Sequence, residues 1–464
     1  MKIAANYHRA LFLAFWACSP ILAHVNTLSR EPVTKNQNLA AIPQSNGQEV
    51  WLNVYIHGII SIKPHITVSN FVRFLTDNVY ESMYAETVDL MRDDPFFFQN
   101  QPIQARGLRP IVMDTHEKGA AASAMANVFE MVQQINPLTP SKNYYYTYGW
   151  SGLLSRSARY NDARDFLFAL ENEVARYRNQ GIHPKIRLFG YSHGGTIILK
   201  LAMVKQKEEL QPNFSVDEAF IFGTPIQYDT DYFINDPLFK KVYNVFSRGD
   251  RVQKLDFFSC GEFFSDRAFK NHYDFQVPDK LIQIEIRVIR KKGEGCEPIK
   301  ACMHEGPLIY DGKKCSRNFR NVSPGHIELW FFGWTPLNYR STFPLYPLPI
   351  IAFMPFIANS IKPFERNFKA DTPITITLDP RRNSMVINNN LKCPQVYKLP
   401  FIGVENFLEL KNTALQFKPD PALFNHQIYN EHIMQAYEKA TVILRDKKCR
   451  QKMEAKEAIA CNNK

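Results

Sequence analysis

Residues 185–204 read KIRLFGYSHGGTIILKLAMV. Ile186, Leu188 and Phe189 form a short apolar run suited to a buried strand. Gly190-Tyr191-Ser192-His193-Gly194 follows at once, and from Ile197 to Val204 only Lys200 interrupts the apolar residues, as expected of a helix packed under a sheet. Strand, G-x-S-x-G and helix in that order are the context that a nucleophile elbow demands. A serine on so sharp a turn takes a strained backbone conformation, and Gly190 and Gly194 leave room for neighbouring chain to pass. The hydroxyl then stands proud of the sheet, and the backbone N–H of His193 points toward the same space.

On these residues the chain resembles the α/β-hydrolase superfamily, in its lipase and esterase branch. The resemblance implies an α/β fold, a mostly parallel central sheet with helices on both faces. It implies a serine esterase or lipase that works without metal or dissociable cofactor. It also places the remaining parts. Residues 50–56, VWLNVYI, are apolar almost throughout and read as a strand interior to a parallel sheet. They end in His57-Gly58-Ile59, and an H-G pair there supplies the second oxyanion donor in the lipase branch. By resemblance the N–H of Ile59, with Gly58 permitting the turn, joins that of His193. A plain strand-end turn is the competing reading of H-G alone.

Beyond the elbow helix, residues 219–222 form a short strand closed by Gly223-Thr224-Pro225. Such a turn lines the mouth of the site in many lipases, and it is equally an ordinary turn. Residues 242–246 form the next strand, which leads to Asp250. The superfamily carries its acid there, which ranks Asp250 above Asp256, Asp229 and Asp231. A carboxylate at that place fixes the histidine tautomer and stabilises the imidazolium. A loop with Pro324 and Gly325 then delivers His326 at the head of an apolar stretch. Ser192, Asp250 and His326 follow the order of the fold. His304 and His272 compete, and His304 sits among cysteines, where a local structural role accounts for it.

The intervening chain alternates strands and helices, which argues for a parallel sheet. Residues 68–91 have helical spacing, 94–113 look irregular, 120–134 read as a helix and 143–150 as a strand. Ala163, Phe166, Leu167, Leu170, Val174 and Tyr177 keep the i, i+3, i+4, i+7 rhythm of an amphipathic crossover helix, with Gly181 as its C-terminal cap. Residues 257–312 read as an insertion that holds one good strand at 281–289. The hydrolase domain is then 49–340, and 341–464 form a C-terminal extension. In it, 344–358 (PLYPLPIIAFMPFIA) are apolar but broken by proline. They suit a lid, an acyl-chain lining or a lipid-facing surface, and core packing is the simpler expectation. A hairpin at 374–387, a helix at 425–444 and a charged tail at 445–464 complete the chain.

With 464 residues, 45% of them hydrophobic, and 35 Phe, the chain has material for a large core. No stretch reaches the roughly 20 apolar residues of a membrane span. The net charge of +11 is spread out, densest at 287–292 and 445–456. No aromatic-basic RNA motif or zinc-finger spacing accompanies it, so the expectation is no nucleic acid and some attraction to anionic membranes. Lys2, Arg9, an apolar core at 10–16 and a cleavage site after Ala23 read as an export signal, residues 1–23, followed by a linker at 24–48. Cys18 raises a lipoprotein alternative, against which stand the bulky Phe15 and Trp16. In an exported chain Cys260, Cys296, Cys302, Cys315, Cys393, Cys449 and Cys461 could form up to three disulfides with one thiol left over, and Cys449 with Cys461 could staple the tail. A zinc site from Cys296, Cys302, Cys315 and His304 matches no familiar spacing.

The functional expectation is hydrolysis of carboxylic esters, lipid esters among them, through an acyl-serine. An acyltransferase would use the same three side chains. A non-catalytic hydrolase scaffold that binds a membrane or partner is the rival from another class, and the presence of all three residues in order speaks against it.

Overall fold

Two of the apolar runs, 50–56 and 186–191, become neighbouring strands of one sheet. A computed structural model of the chain describes residues 49–60, 77, 79–135, 137, 140–250, 252, 265–291, 304–307, 309–310, 313–314, 319–336 and 343–462. The export signal, the linker, Asp256, Cys18, Cys260, Cys296, Cys302 and Cys315 lie outside them. The strands are β1 (Glu49–Ile56), β2 (Gly107–Pro110), β3 (Ser141–Gly149), β4 (Lys185–Tyr191), β5 (Glu218–Phe222), β6 (Val242–Phe246) and β7 (Leu281–Lys291). They continue with β8 (His304–Pro307), β9 (Ile309–Tyr310), β10 (Lys313–Lys314), β11 (Phe319–Ser323), β12 (Ile374–Asp379), β13 (Ser384–Asn388) and β14 (Val396–Pro400). The helices are α1 (Met83–Asp93), α2 (Ala121–Ile135), α3 (Arg156–Arg178), α4 (His193–Lys207), α5 (Met354–Ile361), α6 (Val404–Gln416) and α7 (His426–Asn462).

Twelve strands make one sheet, and its main path runs β14-β13-β12-β7-β6-β5-β4-β1-β3-β2. Every pairing from β12 across to β3 is parallel. The edges and side branches are antiparallel: β2 on β3, β13 on β12, β14 on β13, β11 on β7 and β8 on β11. The class is therefore α/β, with a mixed and mostly parallel sheet.

Helices cover both faces because the strand period alternates the side chains. Along β3, Tyr146 donates to Glu173 of α3 at 2.6 Å, and the Tyr148 ring stacks on Phe166 at 4.2 Å. Tyr145 points the other way and donates to Glu130 of α2 at 2.5 Å. The α2 face also takes the Ile350–Ile361 segment into its core, where Ile351, Phe353, Met354 and Ile357 are fully buried. The proline-broken apolar stretch is thus mostly interior packing, with Tyr346 its exposed aromatic.

The stretch 257–312, read as an insertion, supplies β7, which carries the sheet onward from β6. β12 pairs in parallel with β7, so residues 341–464 build three strands of the same sheet rather than a separate appendage. The described residues all fall in one compact unit. The tail differs from expectation as well, because α7 runs unbroken through Asn462. Cys449 is a free, exposed thiol, as is Cys393. The expected Cys449–Cys461 staple does not form for a geometric reason. Both positions lie on one helix, and twelve residues at 1.5 Å each separate them by ~18 Å, beyond disulfide reach.

The two charged residues that interrupt the elbow segment are explained differently. Arg187 on β4 is buried with Glu218 of β5, its Nε donating at 2.7 Å, and it lies over the Trp51 ring at 4.2 Å. Lys200 on α4 is also buried, and Met203 Sδ at 3.8 Å is its hydrogen-bond acceptor. Burial, then the charges of Arg159, Arg156 and Lys207, push its ammonium down to about 7. An unfolded lysine keeps its proton to about pH 10.4. Between those values the unfolded chain binds more protons, so Lys200 makes stability rise with pH from about 7. Lys200→Met is expected to unfold at higher urea than wild type at pH 7 and to lack this rise. A less stable Lys200→Met with the wild-type slope would contradict it.

Candidate functional site

Ser192 stands at the junction of β4 and α4 with φ 53° and ψ −126°, a conformation that costs about 1–3 kcal/mol for a residue with a Cβ. The surrounding main chain enforces it. A Cβ on Gly190 would lie 2.7 Å from the Gly194 oxygen and the Gly195 Cα. A Cβ on Gly194 would overlap the carbonyl oxygens of Ile56 and His57, and one on Gly195 would overlap Thr224. The elbow is thus wedged between the ends of β1 and β5. The Ser192 N–H donates to Phe222 O at 2.8 Å, which ties it to β5.

Asp250 and His326 meet. The His326 Nδ1 is 2.6 Å from Asp250 Oδ2, with Asp250 fully buried and His326 partly open. Asp250 follows β6, two strands from β4, and Arg267 holds its loop: Nε donates to the Asp250 carbonyl at 2.8 Å and Nη2 donates to the same oxygen. His326 follows β11 and lies against Tyr191, with ring centroids 4.7 Å apart and the tyrosine hydroxyl donating to His326 O at 3.2 Å. The pair therefore sits beside the residue that precedes Ser192.

Gly223 closes the arrangement. Its φ is +55°, and a Cβ there would lie 2.7 Å from Asp250 Oδ2 and 3.0 Å from His326 Nδ1. The G-T-P turn after β5 thus makes room for the acid–base pair, a role that its sequence left open.

On the other flank, β1 ends in His57-Gly58-Ile59. A Cβ on Gly58 would come within 3.0 Å of Ser192 Cβ, so this turn passes directly beside the serine. Sequence reading valued His57 only as part of the H-G pair, yet its ring is fixed on both nitrogens. The Trp150 N–H donates to Nε2 at 3.3 Å, which leaves the proton on Nδ1, 2.6 Å from Gly58 O. The Trp150 indole donates to His57 O at 2.7 Å and stacks on the ring at 5.4 Å. Burial, then the Arg92 guanidinium, hold the imidazole well below the usual histidine range, so it is neutral. A trans peptide sends its C=O and N–H in opposite directions. Drawing Gly58 O toward His57 therefore turns the Ile59 N–H away from it. His193 is the first residue of α4 and is buried.

Three of the competing residues are engaged elsewhere. His272 Nε2 lies 2.9 Å from Asp231 Oδ2, and Asp229 pairs with Arg156. His304 faces Ser323 in the β8–β11 register. Among the described residues, no group of three or more His, Cys, Asp or Glu side chains is placed to hold a metal ion, and no helix is long and apolar enough to cross a membrane. No protein-family model matches the chain, and no curated protein matches it significantly.

The Gly223 contacts lead to a direct expectation. Gly223→Ala should part Asp250 from His326, abolish the downfield proton resonance of their hydrogen bond, and cost about 1–3 kcal/mol of stability. A variant that keeps both the resonance and the wild-type unfolding midpoint would show that the turn has space to spare.

Proposed function

We propose that the chain is an α/β-hydrolase and a serine esterase, cleaving carboxylic esters through an acyl-serine formed on Ser192. One observation carries the reading. A strained serine at a strand-to-helix elbow adjoins an Asp–His pair whose carboxylate is buried, and Gly223 supplies the room for that pair. The carboxylate of Asp250 accepts the Nδ1 proton of His326, which leaves Nε2 as the base. His326 takes the Ser192 proton as Oγ attacks the acyl carbon. The N–H groups of His193 and Ile59 hold the oxyanion, with Gly58 giving the turn its space. Collapse breaks the ester C–O bond, and the leaving alkoxide takes the proton from His326. Water, deprotonated by the same imidazole, then attacks the acyl carbon; the bond to Oγ breaks, Ser192 Oγ takes the proton from His326, and the acid is released. Each step uses side chains and main-chain donors of this chain.

Hydrolysis of p-nitrophenyl esters of graded chain length tests the reaction. Wild type is expected to turn over, with Ser192→Ala, His326→Ala and Asp250→Asn each lowering kcat by about 10⁴-fold or more. The chain-length optimum then defines the acyl pocket. Folded wild type with no turnover at any length, or a Ser192→Ala variant as active as wild type, would overturn the proposal.

A further inference from the structure

At the other end of the elbow strand, β1, β4, β5 and β6 begin around a cavity of about 470 Å³. Arg187 lines it and lies five residues before Ser192, ~17 Å away at about 3.3 Å per residue. The cavity is therefore separate from the serine. The Arg187 side chain is only 8% exposed. Its Nε donates to Glu218 at 2.7 Å, and its Nη1 donates to Asn53 at 3.3 Å and to Gln133 at 3.1 Å. Nη2 has no acceptor among the described residues, and it is not sealed from solvent. Its two N–H groups therefore open on the cavity.

The charges around it leave the same kind of surplus. Lys362 Nζ is 3.1 Å from Glu218 Oε1, so it shares one carboxylate with Arg187. Lys185 lies over the same Trp51 ring as Arg187, and Glu49 accepts from its Nζ at 2.5 Å. Lys241 Nζ donates to Glu365 at 2.9 Å, and Asp217 accepts from Lys240 at 2.7 Å. Every acid that lines the cavity thus already holds a cation. An ammonium carries three donors and a guanidinium five, and neither has an acceptor. The lining therefore keeps donors for a further anion. We propose that this cavity binds a small organic anion, its carboxylate or phosphate group held by Arg187 Nη2 and the lysine ammonium groups beside it. A guanidinium fits either group, and Trp51 and Pro137 add apolar wall for the rest of the molecule. The volume lies within the range of small-molecule sites, about 300–1,000 Å³.

Sodium succinate and sodium phosphate are the probes, each titrated against sodium chloride of equal ionic strength. The reporter is the Trp51 indole N–H, which donates to Glu49 at 3.3 Å and is assigned as the NMR resonance missing from Trp51→Phe. In wild type it should move saturably with at least one probe and not with chloride, and the tighter probe identifies the head group. Arg187→Lys keeps a cation for Glu218 but loses the fork, and it should bind about tenfold more weakly. Lys241→Gln leaves the buried Arg187–Glu218 pair intact and should bind about threefold more weakly. A wild-type resonance that follows ionic strength alone would overturn the proposal. So would undiminished affinity in Arg187→Lys or, if that variant does not fold, in Lys241→Gln. The titration needs no turnover, so an inert Ser192 counts against the proposed function and not against this site.

Discussion

The crowding of main chain at the β4–α4 junction is the constraint on which the rest depends. Ser192 is held at positive φ because there is no other path for the chain. Gly190 lies against the first turn of α4, Gly194 against the carbonyls that end β1, and Gly195 against Thr224. Each approach is closer than a Cβ allows. The strain is distributed over contacts from both neighbouring strands, and relaxing it would require β1 or β5 to move within a parallel sheet. A parallel sheet covered on both faces resists such movement, since its strands pack on helices above and below.

The same sheet brings the other groups to the serine. β1 and β5 flank β4, so the turns at Gly58 and Gly223 border the elbow from either side. Asp250 comes from the next strand along, and its loop is anchored by Arg267. His326 arrives by a longer route, after β11, which pairs with β7. Because β7 is also bonded to β12, the C-terminal strands brace the strand on which β11, and with it the histidine loop, is paired.

How much of this was legible in the sequence depends on the distance over which each feature is determined. The elbow was legible because strand, turn and helix are adjacent, and glycines at 190 and 194 have a single local explanation. The hairpin at Asp379–Asn383 was legible for the same reason, and Asn383 takes the left-handed conformation its turn needs. Asp250 and His326 could be ranked from strand order, but their meeting is a contact between loops 76 residues apart. The contacts that Gly223, His57 and Arg267 make gave no sequence signal. Each acts through a neighbour supplied by another element: the Asp–His pair, Trp150 and the Asp250 carbonyl. The place of residues 341–464 was hidden likewise. ITITL reads as a strand, but nothing local says that it pairs with Leu281–Lys291 some ninety residues before it. A long charged helix without an apolar face, such as the end of α7, carries no periodic signal at all.

The measurement that bears most directly on the central claim is mass mapping of a fluorophosphonate adduct on the folded protein. Cleavage after Arg187 and Lys200 yields a peptide, 188–200, in which Ser192 is the only serine. The account predicts a single adduct on that peptide. An adduct elsewhere in the chain, or none on protein shown to be folded, would contradict it.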